Sequence, residues 1–177
     1  MILNEDNTLL LIIDIQEKLL NVAFNKDILY QNSKKIVKAA NILNLPIFVT
    51  EQYPKGLGET VDNFKQSASL YIKNDFNALT DMNLLAELKK SNRTQVIVFG
   101  IETHICVYQT VEALIDNGFD VFVVKDACGS RSEVEYSSAL LYMDKIGANI
   151  KTTEMLLFEL IKSSKHPMFK EIQSLVK

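Results

Sequence analysis

Four short stretches of unbroken hydrophobicity stand out along the chain: "TLLLIID" (residues 8–14), "PIFVT" (46–50), "QVIVFG" (95–100) and "DVFVVKD" (120–126). None alternates apolar with polar positions. A strand covered on both faces has this signature, so the four read as strands of a buried parallel sheet. "SLYIK" (69–73) and "ANIKTT" (148–153) are weaker strand candidates. Between them, helical periodicity predicts helices over residues 27–43, 81–90, 104–117, 132–146 and 153–162. Ile28, Ile36, Val37, Ala40 and Leu43 form one apolar stripe. Gly118 and Gly147 lie just past two helix ends, where a left-handed residue is expected. Strands alternating with helices in this way imply a doubly wound α/β sheet. The stretch 51–66, "EQYPKGLGETVDNFKQ", is the longest irregular one and is placed to cover a site. There are no repeats, linkers or low-complexity segments.

With 177 residues, the chain has the length of one domain, and residues 1–177 are read as such. A net charge of -3 provides no basic footprint, which argues against nucleic acid as a partner. Two cysteines are too few for a disulfide framework and point to a reducing compartment. The start, "MILNEDNTLLLIIDIQ", lacks a basic leader region, and its apolar run is far too short to cross a bilayer. The expectation is therefore a cytoplasmic protein with no membrane partner. With only two histidines, His104 and His166, a histidine-rich metal site is not expected.

In open parallel sheets, ligands bind beyond the carboxyl ends of the strands, near the point where strand order reverses. The residues there are Asp14, the run Thr50-Glu51-Gln52, Lys73, the turn from Gly100 to Cys106, and Asp126. Each has a plain structural reading. Asp14 could cap the following turn, Lys73 could be a solvated surface lysine, and Cys106 and Cys128 could be small core residues. His104 could be a polar residue of the first helical turn. Taken together they describe chemistry. Thr103 is a candidate N-cap, which would place Cys106 in the first turn of its helix, where free N–H groups and the dipole favour a thiolate. A lysine nearby would favour it further, and a carboxylate could move the thiol proton. Asp14, Lys73 and Cys106 thus form a coherent nucleophile set. His104 is a rival base, but positions i and i+2 of a helix do not face each other.

"LLIIDIQ", the lysine ahead of "NDFNAL", "GIETHICV" and "VVKDACGSR" occur in an order that resembles the isochorismatase-like hydrolases, also called cysteine hydrolases. The resemblance runs over almost the whole chain, and "TEQYPKGLG" is particularly similar to the isochorismatase-domain-containing proteins. It implies a Rossmann-like three-layer α/β/α sandwich with a six-stranded parallel sheet in the order 3-2-1-4-5-6. It also implies an Asp-Lys-Cys triad, which by motif is Asp14, Lys73 and Cys106. A cis peptide is expected between Ile101 and Glu102, with the backbone N–H groups of Glu102 and Cys106 forming an oxyanion hole. The implied reaction is nucleophilic attack by Cys106 on an sp² carbon, with a small amide or a related acyl or carbamoyl compound as substrate.

Phe24, Tyr53 and Tyr108 are candidate pocket walls. Family members that hydrolyse nicotinamide carry an Asp-x-His metal pair after the second strand. Here the stretch reads Thr50, Glu51, Gln52, Tyr53, so a metal-independent protein without a cofactor is expected. Glu51 and Gln52 are then free to bind substrate or to pin the following loop. The resemblance also implies a homo-oligomer, a dimer or larger. A different reading keeps the same scaffold as a non-catalytic or redox-regulatory module that binds a small molecule.

Overall fold

The computed structural model describes residues 2–61 and 64–177. Six strands form one sheet: β1 (Thr8–Ile13), β2 (Ile47–Gln52), β3 (Ala68–Lys73), β4 (Gln95–Gly100), β5 (Asp120–Val124) and β6 (Asn149–Lys151). All neighbours are parallel, in the order β3-β2-β1-β4-β5-β6, as the resemblance implied. β1 and β4 are buried along their whole length, which is why their sequences show no alternation. The edge strand β3 leaves Leu70 and Ile72 exposed, and its signal in the sequence is correspondingly weaker.

The helices are α1 (Glu17–Val22), α2 (Lys26–Ile42), α3 (Pro54–Leu57), α4 (Met82–Lys90), α5 (Tyr108–Asp116), α6 (Glu133–Lys145), α7 (Thr153–Ile161) and α8 (Phe169–Ser174). α2 packs with α7 and α8, while α5 packs with α6. Side-chain caps set several starts. Asp81 accepts from the N–H groups of Asn83 and Leu84, Ser132 from Glu135, and Thr152 from Met155. Gly118 and Gly147 have positive φ just past α5 and α6, as expected. The apolar stripe of α2 is correct at Ile36, Val37 and Ala40, but Ile28 is exposed and Leu29 takes the buried position. The short helices α1, α3 and α8 were not expected from periodicity. Each is six residues or fewer, too short to show a 3.6-residue pattern. α3 occupies part of the stretch read as irregular, and Asp62 and Asn63 of that stretch lie outside the described residues.

β1 lies between β2 and β4, so the strand order reverses beside its carboxyl end. There the chain passes very close to itself. Gly100 pairs with Ile13, and the Ile101 N–H donates to the Ile13 carbonyl at 2.9 Å. Gly100 has φ +141, and a Cβ added there would lie 1.9 Å from the Ile13 carbonyl oxygen. Only glycine fits. Gly100→Ala should therefore destabilise the protein by about 3 kcal/mol or more, combining backbone strain with overpacking. Urea unfolding monitored by circular dichroism checks this, and a midpoint close to wild type would contradict it.

Candidate active site

Asp14 follows β1 directly, with φ +49, a conformation rare outside glycine and concentrated at functional sites. Its side chain is fully buried. Oδ1 accepts the Thr50 hydroxyl at 2.7 Å, and Oδ2 lies 2.6 Å from the Lys73 ammonium. Lys73 ends β3 and is 4% exposed. Its ammonium also donates to Gln52 Oε1 at 2.7 Å, and more distantly to the carbonyls of Asp75 and Phe76 at 3.3 and 3.4 Å. Neither plain reading survives: the Asp14 carboxylate is taken up by Thr50 and Lys73, and Lys73 is not at the surface. Two buried charges of opposite sign hold each other in place, because either alone would lose hydration with nothing in return.

Beyond Gly100 the Ile101–Glu102 peptide is cis. A π-helical turn, Thr103–Val107, then leads into α5. Thr103 does not cap this helix. Its N–H and hydroxyl both donate to the Gly129 carbonyl, at 2.8 and 2.9 Å. The Thr110 hydroxyl donates to the Cys106 carbonyl at 2.7 Å and accepts from the Ala78 N–H at 3.0 Å, anchoring the turn. Cys106 is 5% exposed, and its thiol lies against both Asp14 and Lys73.

The thiolate expected from position alone is not what this environment favours. Burial pushes the Cys106 thiol up to about 12, the Asp14 charge adds to this, and Lys73 offsets only part of it. The lysine is already neutralised by Asp14, and the thiol sits in a π turn ahead of the α-helix proper. Cys128 is fully buried and is also pushed up to about 12 by burial; it is a core residue.

The segment after β5 braces the turn that carries Cys106. The Gly129 N–H donates to the Gly100 carbonyl at 3.1 Å, His104 Nδ1 meets the Ser130 hydroxyl at 3.0 Å, and Arg131 Nε donates to Glu102 Oε1 at 2.8 Å. His104 thus turns towards Ser130 and, with Tyr108, Glu112, Glu135 and Tyr142, lines a groove between α5 and α6. Tyr108 packs edge-on against Tyr142 there. Phe24 packs edge-on against Tyr136 and borders a separate hollow at the start of α2. Tyr53 is exposed, and its N–H donates to the Lys73 carbonyl at 3.0 Å. Phe24 and Tyr108 thus border different hollows. Asp126 accepts from the N–H and hydroxyl of Thr153 and so holds the start of α7.

The side chains of Glu51 and Gln52 are both engaged within the protein. Glu51 is 2% exposed, accepts from the Thr60 N–H at 2.7 Å and pairs with Lys65 at 3.2 Å. Gln52 reaches Lys73. Reading the sequence missed Gln16, a fully buried amide bonded to the backbone of Gln52 and Gly58. Its only signal was a polar residue closing the apolar run "LLIIDIQ". No group of three or more His, Cys, Asp or Glu side chains among the described residues is arranged to hold a metal ion. No described helix is long and apolar enough to cross a membrane.

A six-stranded parallel sheet in this order, flanked by helices, is the α/β architecture of the isochorismatase fold. The isochorismatase domain matches residues 8–155, and the chain belongs to the isochorismatase family. Bovine isochorismatase domain-containing protein 2 is 38% identical over 172 residues, covering 97% of this chain and 83% of the relative. The structure of MAR1 ribonuclease from Caenorhabditis elegans superposes with a TM-score of 0.93 at 36% identity, covering 99% of this chain and 92% of that one. YcaC from Pseudomonas aeruginosa, solved with hexane-2,5-diol and covalent acrylamide, superposes with a TM-score of 0.93 at 26% identity, covering 98% and 91%.

Glu51 carries a pH signature. Burial works to raise its pKa, but the Thr60 N–H and Lys65 hold it below the ordinary carboxylate value overall. A depressed carboxylate stabilises the fold fully above its unfolded-state pKa, and the stability is lost as pH falls through the folded value. Glu51→Gln should cost about 1.5–3 kcal/mol at pH 7, the range for hydrogen bonds to charged groups. The difference from wild type should shrink below about pH 4. Urea midpoints at pH 7 and pH 3.5 check this, and a gap that widens in acid would contradict it.

Proposed function

We propose that this chain is a cysteine hydrolase acting on a small amide or a related acyl or carbamoyl compound. The observation that carries the reading is the buried meeting of the Cys106 thiol with the Asp14–Lys73 pair at the sheet's switch point. A thiol with a raised pKa does not need to ionise beforehand when a carboxylate stands against it. Asp14 takes the proton as the Cys106 sulfur bonds to the carbonyl carbon. Lys73 stays protonated, offsetting charge on Asp14 and on the sulfur. The backbone N–H groups of Glu102 and Cys106 receive the oxyanion, a contribution typically of about 3–4 kcal/mol per donor. Protonated Asp14 then gives its proton to the leaving amine as the C–N bond breaks. Water, deprotonated by Asp14, hydrolyses the thioester and frees the thiol. The covalent acrylamide described for YcaC supports covalent chemistry on this scaffold.

Two other readings are weaker. A redox-sensing cysteine needs an accessible thiol of low pKa, and Cys106 has neither property. The nematode neighbour is described as a ribonuclease, yet a net charge of -3 argues against an RNA substrate.

The test is intact-mass and peptide mapping after incubation with a panel of small amides, esters and carbamoyl compounds, with RNA cleavage assayed in parallel. An adduct confined to Cys106, and turnover that disappears in Cys106→Ala, is the expected result. RNA cleavage that survives in Cys106→Ala, with no amide or ester consumed, would overturn the reading. Iodoacetamide should also label Cys106 before Cys128, since access separates them: they are 5% and 0% exposed. Reversed labelling order counts against a nucleophilic Cys106.

The Asp14–Lys73 pair makes a prediction about stability as well. Asp14→Asn or Lys73→Met alone leaves one buried charge unpaired and should cost about 3–5 kcal/mol. The Asp14→Asn/Lys73→Met double variant should recover most of that loss while remaining inactive. Denaturant titration of the three variants decides this, and additive losses would contradict it.

A further inference from the structure

The Lys73 ammonium has several neighbours. Its nitrogen lies 2.6 Å from Asp14 Oδ2 and donates to Gln52 Oε1 at 2.7 Å. It donates more distantly to the carbonyls of Asp75 and Phe76 at 3.3 and 3.4 Å, and it lies against the Cys106 thiol. Gln52 thus supplies the shortest hydrogen bond to a neutral oxygen recorded for this cation among the described residues. Its amide is oriented unambiguously. Nε2 donates to the Asn74 carbonyl at 2.6 Å, so a flipped amide would set an NH₂ against the ammonium and an oxygen against a carbonyl. In the β2–β3 register Gln52 stands directly opposite Lys73.

The backbone of Gln52 is clamped in turn. Its N–H donates to Gln16 Oε1 at 2.8 Å, and its carbonyl accepts from Gln16 Nε2 at 3.0 Å. Gln16 Nε2 also donates to the Gly58 carbonyl at 2.6 Å. A buried carboxamide thus holds the end of β2 much as another strand would. It stands two residues past Asp14, so the support for the cation starts from the same strand end as the carboxylate.

We propose that Gln52 is a positioning residue for the hydrolytic reaction, its side-chain oxygen fixing the Lys73 ammonium between the Asp14 carboxylate and the Cys106 thiol, with Gln16 holding Gln52 in place. This inference rests on the catalytic set proposed above. A neutral acceptor suits the role: a carboxylate at position 52 would draw the cation away from Asp14 and place a second negative charge near the sulfur. An apolar side chain would release the cation.

The test uses the second-order rate of Cys106 alkylation by iodoacetamide, followed by peptide mass from pH 7 to pH 10. Gln52→Met and Gln52→Glu should each slow alkylation at pH 8 by about tenfold, equivalent to moving the rising limb about one pH unit upward. The same Gln52→Met change made in the Asp14→Asn/Lys73→Met background should have no further effect, because no cation remains to be placed. A Gln52→Met protein that alkylates within twofold of wild type, while the neutral-pair background is slow, overturns the role of Gln52 and leaves the catalytic set standing. Equal slowing by Gln52→Met in both backgrounds shows general loosening of the site and also overturns it. A neutral-pair background that alkylates as fast as wild type removes the catalytic set itself, and this proposal with it. Should the background not fold, Lys73→Arg replaces it: the role of Gln52 then requires a Gln52→Met effect smaller than in wild type, and an undiminished effect overturns it.

Discussion

The contact between Asp14 and Lys73 organises the carboxyl edge of the sheet. Both side chains are almost wholly removed from water, and their charged atoms are 2.6 Å apart. Neither charge could be buried alone, since its lost hydration would have no replacement. The pair joins the end of β1, at the centre of the sheet, to the end of the edge strand β3, passing over β2. β2 contributes on the way: Thr50 donates to the carboxylate and Gln52 accepts from the ammonium. Three strand ends are therefore held in register by one ionic contact and the hydrogen bonds that complete it.

The thiol is a consequence of that arrangement. Close passage of β4 beside β1, possible only with glycine at position 100, brings the following turn down onto Asp14. The segment after β5 holds the turn there through Gly129, Ser130 and Arg131. Burial keeps the sulfur protonated, and the adjacent carboxylate keeps a proton acceptor in contact with it. This differs from enzymes that store a thiolate at a helix start beside a cation. Here the cation is already committed to a carboxylate, so the environment favours the protonated thiol.

Much of this was readable in the chain. The uninterrupted apolar runs located β1, β2, β4 and β5, because two-sided burial removes the need for polar alternation. Asp14, Lys73 and Cys106 could be singled out because each ends or follows a predicted strand, Lys73 the weaker stretch "SLYIK". Other features were not readable. Ile28 has the spacing of a core residue, yet it faces solvent while Leu29 is buried. Thr103 has the composition of a helix cap, but its hydroxyl is drawn to Gly129, 26 residues away in sequence. Glu51 stands beside the candidate chemistry but is engaged by Thr60 and Lys65 of the next loop.

The sequence by itself determined the kinds of most elements, their order and the candidate residues at their ends, because periodicity, glycine placement and strand termini are local properties. It did not determine which strand ends meet, which side chains share a proton, or where the thiol titrates. The three-dimensional arrangement decided those. Lys73 reaches Asp14 only because β3 joins the sheet two strands from β1, and Cys106 is held as a thiol only because the folded chain excludes water from it. Pairing energy and desolvation depend on distances between residues far apart in the chain, and only folding sets those distances.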